Sequence, residues 1–167
     1  DVFVSDSGML KPHYKKDLEQ HGIAFEEGQH SEEKILTANL VIKSPGIPDK
    51  ADIVKKIKSK KIQIIDEIEF AFRYVKGKVI AITGTNGKTT TTLLTHHLLA
   101  SADKNVALAG NVGESLARKV ATGDHDWYVV EISSFQLDGT QTFHPHIGIL
   151  LNITPDHLDR YENKMAN

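Results

Sequence analysis

One stretch constrains this chain more than any other: Val79-Ile80-Ala81-Ile82-Thr83-Gly84-Thr85-Asn86-Gly87-Lys88-Thr89-Thr90. An apolar run of strand-forming residues ends in a Gly-rich turn. A lysine follows, and then hydroxyls that open a helix. Such an order places backbone N–H groups and a helix N-terminus around one point, a geometry suited to the phosphates of a nucleoside triphosphate. Lys88 is placed to reach the terminal phosphates, and the Thr89 hydroxyl to sit on Mg²⁺. The spacing departs from the general G-x-x-x-x-G-K-[ST] pattern, because the first glycine position falls on Ile82 and Gly84 opens a shorter G-T-N-G-K-T form. A short Gly-x-x-Gly-Lys alone can also be an ordinary strand-to-helix turn. The strand before it, the helix after it and the paired threonines favour phosphate binding over Gly84, Thr85, Asn86, Gly87, Lys88, Thr89 and Thr90.

The rest of the chain alternates strand and helix signals. Strands are predicted near Val2–Val4, Leu40–Lys43, Ile62–Ile65, Val106–Ala109, Trp127–Ile132 and Ile147–Asn152. Helices are predicted over Lys11–Gln20, around Ile53, Val54 and Ile57, over Glu67–Tyr74, from Lys88 through Leu99, and near Glu114–Val120. This alternation predicts an α/β fold with parallel sheets and helices on both faces. Val75-Lys76-Gly77-Lys78 reads as a linker, so a boundary is expected there, giving regions 1–75 and 76–167. Ser133-Ser134-Phe135-Gln136 reads as a loop with one buried aromatic.

Four polar groups fall where strands end, at the sheet edge that carries ligands in such folds. Gly110-Asn111 follows one strand, Glu131 closes another, Asn152 closes a third, and Asp156-His157 comes soon after. Glu131, a carboxylate at the end of an apolar strand, is placed to bind Mg²⁺; a capping or ion-paired glutamate is the other reading. Asn111 alone reads equally as a turn residue, and His157 as a structural or exposed histidine.

The net charge of −2 over 167 residues gives no reason to expect nucleic acid or an anionic membrane as partner. With no cysteine there is neither disulfide nor thiol chemistry. No apolar run approaches the roughly 20 residues of a membrane span, and no signal peptide opens the chain, so a cytoplasmic protein is expected. No Ser-His-Asp or Cys-His arrangement is evident. The chain opens as a strand already under way at Asp1–Asp6 and stops within a helical pattern at Glu162–Asn167, so a piece of a larger protein is expected.

Taken together, G-T-N-G-K-T-T, G-N-V-G, E-I-S-S-F-Q-L and N-I-T-P-D-H-L-D-R-Y closely resemble the Mur ligases, with Ser44-Pro45-Gly46-Ile47 matching that family's first domain. The S-S-F-Q-L and D-H-L-D-R-Y segments resemble the branch that adds D-glutamate to UDP-N-acetylmuramoyl-L-alanine in peptidoglycan precursor synthesis. The resemblance implies a Rossmann-like domain over 1–75, lacking its first strand and Gly-rich turn. The first half of a P-loop ATPase-type domain would follow over 76–167, with a C-terminal domain absent. It implies ATP and two Mg²⁺ ions as cofactors, the nucleotide-sugar and D-glutamate as substrates, and no nucleic acid or membrane partner. A monomer is expected, inactive as this chain alone. Carried over by position, Lys88, Glu131 and His157 would be catalytic. Thr89 and Glu131 would hold one Mg²⁺ and His157 the second. Asn111 and His157 would lie near the muramoyl-alanine, and Asp6, Ser7 and Gly46 would contact the uridine nucleotide. The family's carbamylated lysine is expected beyond Asn167, not at Lys164. A sister ligase of the superfamily, such as a folylpolyglutamate synthetase, is the alternative.

Overall fold

The computed structural model describes residues 1–155. They divide into two compact units: residues 1–41 with 47–64, and residues 42–46 with those from 65 on.

The first unit begins with β1 (Phe3–Ser5), α1 (Pro12–Gln20), β2 (Ala24–Glu26) and α2 (Glu32–Ile35). Strands β1 and β2 pair in parallel, with Phe3 opposite Ala24 and Ser5 opposite Glu26. Pro12 stands in the first turn of α1, where its missing N–H costs nothing. Helix α3 (Asp52–Ser59) buries Val54 and Ile57 and turns Lys55, Lys56 and Lys58 outward. Lys56 pairs there with Glu32, and Lys58 with Asp49. Neither β2 nor α2 is among the elements expected from sequence. Each is shorter than the window over which periodicity can be read. Strands β3 (Leu40–Ile42) and β4 (Gln63–Ile65) form a two-stranded sheet.

The second unit contains α4 (Glu67–Phe72), which precedes the linker read at Val75–Lys78. Then come β5 (Lys78–Thr83), α5 (Lys88–Ser101), β6 (Val106–Gly110), α6 (Leu116–Thr122), β7 (Trp127–Glu131), α7 (Ser134–Leu137) and β8 (Ile147–Leu150). The sheet order is β6-β7-β5-β8, parallel throughout. Val79 to Ala81 and Ile82 are all buried, as an inner strand covered on both faces requires. Side chains alternate between the faces. Val79, Ala81, Tyr128 and Val130 meet Ile68 and Ala71 of α4 and Leu116 of α6. Ile80, Ile82 and Val129 pack with Leu99 of α5. Each buried Val, Ile or Leu among these contributes about 1.5–3 kcal/mol. The doubly covered parallel sheet expected from sequence is therefore what forms.

Ser133–Gln136 is a correction. It is not a loop around a buried aromatic but the start of a helical turn, and the buried side chain is Gln136. Ser133 Oγ accepts from the Gln136 N–H at 3.3 Å, and Gln136 Oε1 accepts from the Ser133 N–H at 3.0 Å. This reciprocal capping box satisfies donors that would otherwise be orphaned at the helix start.

Candidate active site at the carboxyl edge of the four-stranded sheet

The inner strand β5 opens directly into the phosphate-loop sequence. Gly84 has φ +136°, and a Cβ there would lie 3.0 Å from the Asn152 carbonyl oxygen and 3.1 Å from its nitrogen. A side chain at this position would crowd the Asn152 main chain, which would have to give by a few tenths of an ångström, and would strain the backbone at this φ. Lys88 is the first residue of α5, and its ammonium donates to the carbonyls of Gly84 at 2.7 Å and Thr85 at 2.9 Å. It is therefore half-buried against the loop. Thr89 and Thr90 are exposed in the first turn of α5, whose N–H groups have no intrahelical acceptor.

Glu131 ends β7 directly beside Ile82 of β5. It is 1% exposed. Asn111 Nδ2 donates to Glu131 Oε1 at 2.8 Å, and the Asn111 N–H donates to the Glu131 carbonyl at 2.9 Å. Gly110 permits this approach: its φ is +101°, and a Cβ there would stand 2.2 Å from the Glu131 carbonyl oxygen. Glu131 Oε2 is buried and has no hydrogen-bond partner among the described residues. A buried carboxylate oxygen left bare costs about 1–3 kcal/mol or more, unless a ligand supplies the missing interaction. An anionic oxygen beside a phosphate loop and a threonine hydroxyl forms a hard-oxygen donor set suited to Mg²⁺. Among the described residues, no group of three or more His, Cys, Asp or Glu side chains could hold a metal. Mg²⁺ commonly takes only one or two carboxylates and completes its shell with water and phosphate oxygens.

Four further carboxylates, none singled out from sequence, shape the two units. In the second, Asp66 Oδ1 caps α4 by accepting from the Glu69 N–H at 2.8 Å. Glu67 accepts from the Ala117 N–H at the start of α6. Burial pushes the Asp66 and Glu67 carboxyls above the usual range. Glu69 is 0% exposed. It receives the N–H groups of Gln141, Thr142 and Phe143 at 2.8–2.9 Å and the Thr142 hydroxyl at 2.6 Å. Burial alone would raise its pKa, but these donors outweigh it and hold the carboxyl down at about 2.

In the first unit, Asp6 follows β1 and its Oδ1 accepts from the Gly8 N–H at 2.8 Å, while Ser7 is exposed. The loop behind them is fixed by Glu27, the fourth carboxylate, which takes the Leu10 N–H at 2.8 Å and the Lys15 ammonium at 2.7 Å. Gly46 lies in the turn that follows β3. His157, expected to hold a second Mg²⁺, and Lys164 lie outside the described residues. The structure thus brings together Lys88, Thr89, Glu131 and Asn111 along one sheet edge.

A description of the Mur ligase middle domain matches residues 82–166. The chain belongs to the Mur ligase family. A description of the MurD N-terminal domain matches residues 1–53. Among curated relatives, the UDP-N-acetylmuramoylalanine–D-glutamate ligase of Cytophaga hutchinsonii is 60% identical over 169 residues, covering 100% of this chain and 38% of the relative. The protein of the same name from Bacteroides fragilis is 56% identical over 167 residues, with the same shares covered. The chain thus spans well under half the length of these relatives. The solved structure of the UDP-N-acetylmuramate:L-alanyl-gamma-D-glutamyl-meso-diaminopimelate ligase from Neisseria meningitides shares the fold. Its TM-score is 0.60 at 18% identity, covering 95% of this chain and 55% of that one. Among the described residues, no helix of this Mur ligase chain is long and apolar enough to cross a membrane.

Proposed function

We propose that the protein carrying this chain is an ATP-dependent ligase that adds D-glutamate to UDP-N-acetylmuramoyl-L-alanine in the cytoplasm. The observation that carries the reading is the buried Glu131 oxygen, without a partner among the described residues, on the strand next to the one that opens into Gly84–Thr90. The substrates are those named for relatives at 56–60% identity. In this reading residues 1–75 take the uridine nucleotide through Asp6, Ser7 and Gly46. Residues 76–167 hold ATP through Gly84–Thr90, with Asn111 toward the muramoyl-alanine. Thr89 and Glu131 hold one Mg²⁺ and His157 a second.

The chemistry sets a specific demand. The substrate carboxylate oxygen attacks the γ-phosphorus, ADP leaves, and an acyl phosphate forms. The D-glutamate amine then attacks the acyl carbon, loses a proton and expels phosphate. In the first step two anions approach to about 3.5 Å, where each pair of unit charges costs roughly 5 kcal/mol at an effective dielectric near 20. Lys88 supplies a compact cation to offset that repulsion, and the first turn of α5 adds oriented N–H groups. Glu131 and Thr89 contribute oxygens for a Mg²⁺ that neutralises phosphate charge. No nucleophilic side chain is required.

The deciding measurement is phosphate release by the intact protein with ATP, Mg²⁺ and UDP-N-acetylmuramoyl-L-alanine. D-glutamate, L-glutamate and a diamino acid are compared as acceptors. Release that needs both the nucleotide-sugar and D-glutamate is expected. Release with another acceptor or with a folate moves the protein to a sister ligase. No release from a folded, ATP-binding protein overturns the enzymatic reading. The 167-residue chain alone is expected to release none.

A further inference from the structure

The carboxyl end of β8 is joined to the phosphate loop by more than strand pairing. The ladder continues past β5, with the Leu151 N–H on the Thr83 carbonyl at 3.0 Å and the Thr85 N–H on the Asn152 carbonyl at 2.9 Å. At Asn86 the main-chain ladder gives out and a side chain replaces it. Asn152 Oδ1 accepts from the Asn86 N–H at 2.9 Å, and Asn152 Nδ2 donates to the Asn86 carbonyl at 2.9 Å. The primary amide thus imitates a neighbouring strand, offering one acceptor and one donor in a plane. One step further, the Thr85 hydroxyl donates to the Thr154 carbonyl at 3.1 Å and accepts from the Thr154 N–H at 2.9 Å.

We propose that Asn152 is a positioning residue for the phosphate loop, holding Asn86 so that the following N–H groups face the ATP phosphates. This rests on the reading of the loop as an ATP site. Two physical arguments support it. The outer rim of the turn, Thr85 and Asn86, is satisfied by 152–154, so the N–H groups left to meet an anion are those of the first turn of α5. Gly84 makes the close approach of that segment possible, since a Cβ there would collide with the Asn152 main chain. Both halves of the Asn152 amide are used, so no smaller or singly functional side chain reproduces the pair. Asn152 itself makes no call on the substrate: its effect on ATP is transmitted through the loop backbone.

The test uses the intact protein and two readouts, amide hydrogen exchange at Asn86 and equilibrium affinity for MgATP, with UDP affinity measured in parallel. Asn152→Ala is expected to speed Asn86 exchange at least about ten-fold and leave β5 amides protected. MgATP affinity is expected to fall about ten-fold, equivalent to about 1.4 kcal/mol, with UDP affinity and thermal midpoint little changed. Asn152→Asp keeps the acceptor and is expected to retain Asn86 protection. Thr154→Val removes only a 3.5 Å side-chain contact to Asn86 and is expected to change MgATP affinity by less than about two-fold. Faster Asn86 exchange with unchanged MgATP affinity overturns the proposal, as does equal loss of MgATP and UDP binding. Wild-type protein that does not bind MgATP overturns the ATP-site reading instead, and the exchange data still report whether Asn152 holds the loop.

Discussion

Glu69 and Glu131 are both fully buried carboxylates of the second unit, yet they are built for opposite ends. Glu69 sits in α4 with three main-chain N–H groups and a hydroxyl on it, so its charge is compensated from within the protein. Glu131 closes β7 with Asn111 on one oxygen and, among the described residues, nothing on the other. A saturated buried anion ties distant segments together. An unsaturated one is a cost to the fold that only something from outside can repay, and it stands at the sheet edge where ligands of parallel sheets bind.

The contrast breaks most readily at the loop cation that serves the Glu131 edge. Lys88→Ala is expected to abolish turnover, a loss on the order of 10³-fold or more in phosphate release. The thermal midpoint should stay nearly constant, because the lysine bonds only loop carbonyls. Unfolding at much lower temperature would give Lys88 a structural role like that of Glu69. Glu131→Gln is expected to lower turnover about 10²-fold while stability moves by less than about 1 kcal/mol, since the wild-type oxygen it replaces has no partner. Activity assays paired with denaturant melts would expose a structural Glu131 as a loss of both together.

Glu69→Gln should show the reverse pattern, a loss of about 2–4 kcal/mol of stability from placing an amide NH₂ among N–H donors. A variant as stable as wild type would remove the distinction. The same carboxylate sets an acid limit. Its folded pKa of about 2 lies below the ordinary carboxyl value of 4.5, so its contribution is complete above 4.5 and is lost as pH falls toward 2. That contribution is on the order of 3 kcal/mol. Asp66 and Glu67, raised by burial, act in the opposite sense, and their protonation as pH falls favours the folded state. Denaturant melts from pH 6 to 2.5 should therefore show a steep acid limb in wild type and a flatter one in Glu69→Gln; identical limbs would assign acid sensitivity elsewhere. The smallest effect is expected at the capping box, where Ser133→Ala should cost about 1 kcal/mol in the same melts.

The strand–turn–helix unit of β5 and α5 was legible because all its parts are contiguous: strand, turn, lysine and hydroxyls occupy one run of residues. Glu131 was legible as a lone carboxylate ending an apolar strand. The helical turn at Ser133–Gln136 carries its own local signal, the S-x-x-Q spacing of a capping box, which the loop reading of that segment lacks. The partners of Asn152 and Glu69 were not legible. Asn152 meets Asn86 across 66 positions, and Glu69 meets the 141–143 segment across 72 to 74. No local pattern encodes such distances.

The sequence by itself determined that this chain forms doubly covered parallel sheet with a phosphate loop at a strand end, because periodicity and turn chemistry are local. Only the packing set Glu69 apart as fully hydrogen-bonded, while one oxygen of Glu131, like one of Asp66, finds no partner among the described residues. That depends on the parallel register laying Glu131 beside Ile82 and on the loop from Gln141 to Phe143 closing over Glu69. Hydrogen-bond satisfaction is a property of where segments meet, and those meetings are set by the packing of the whole unit.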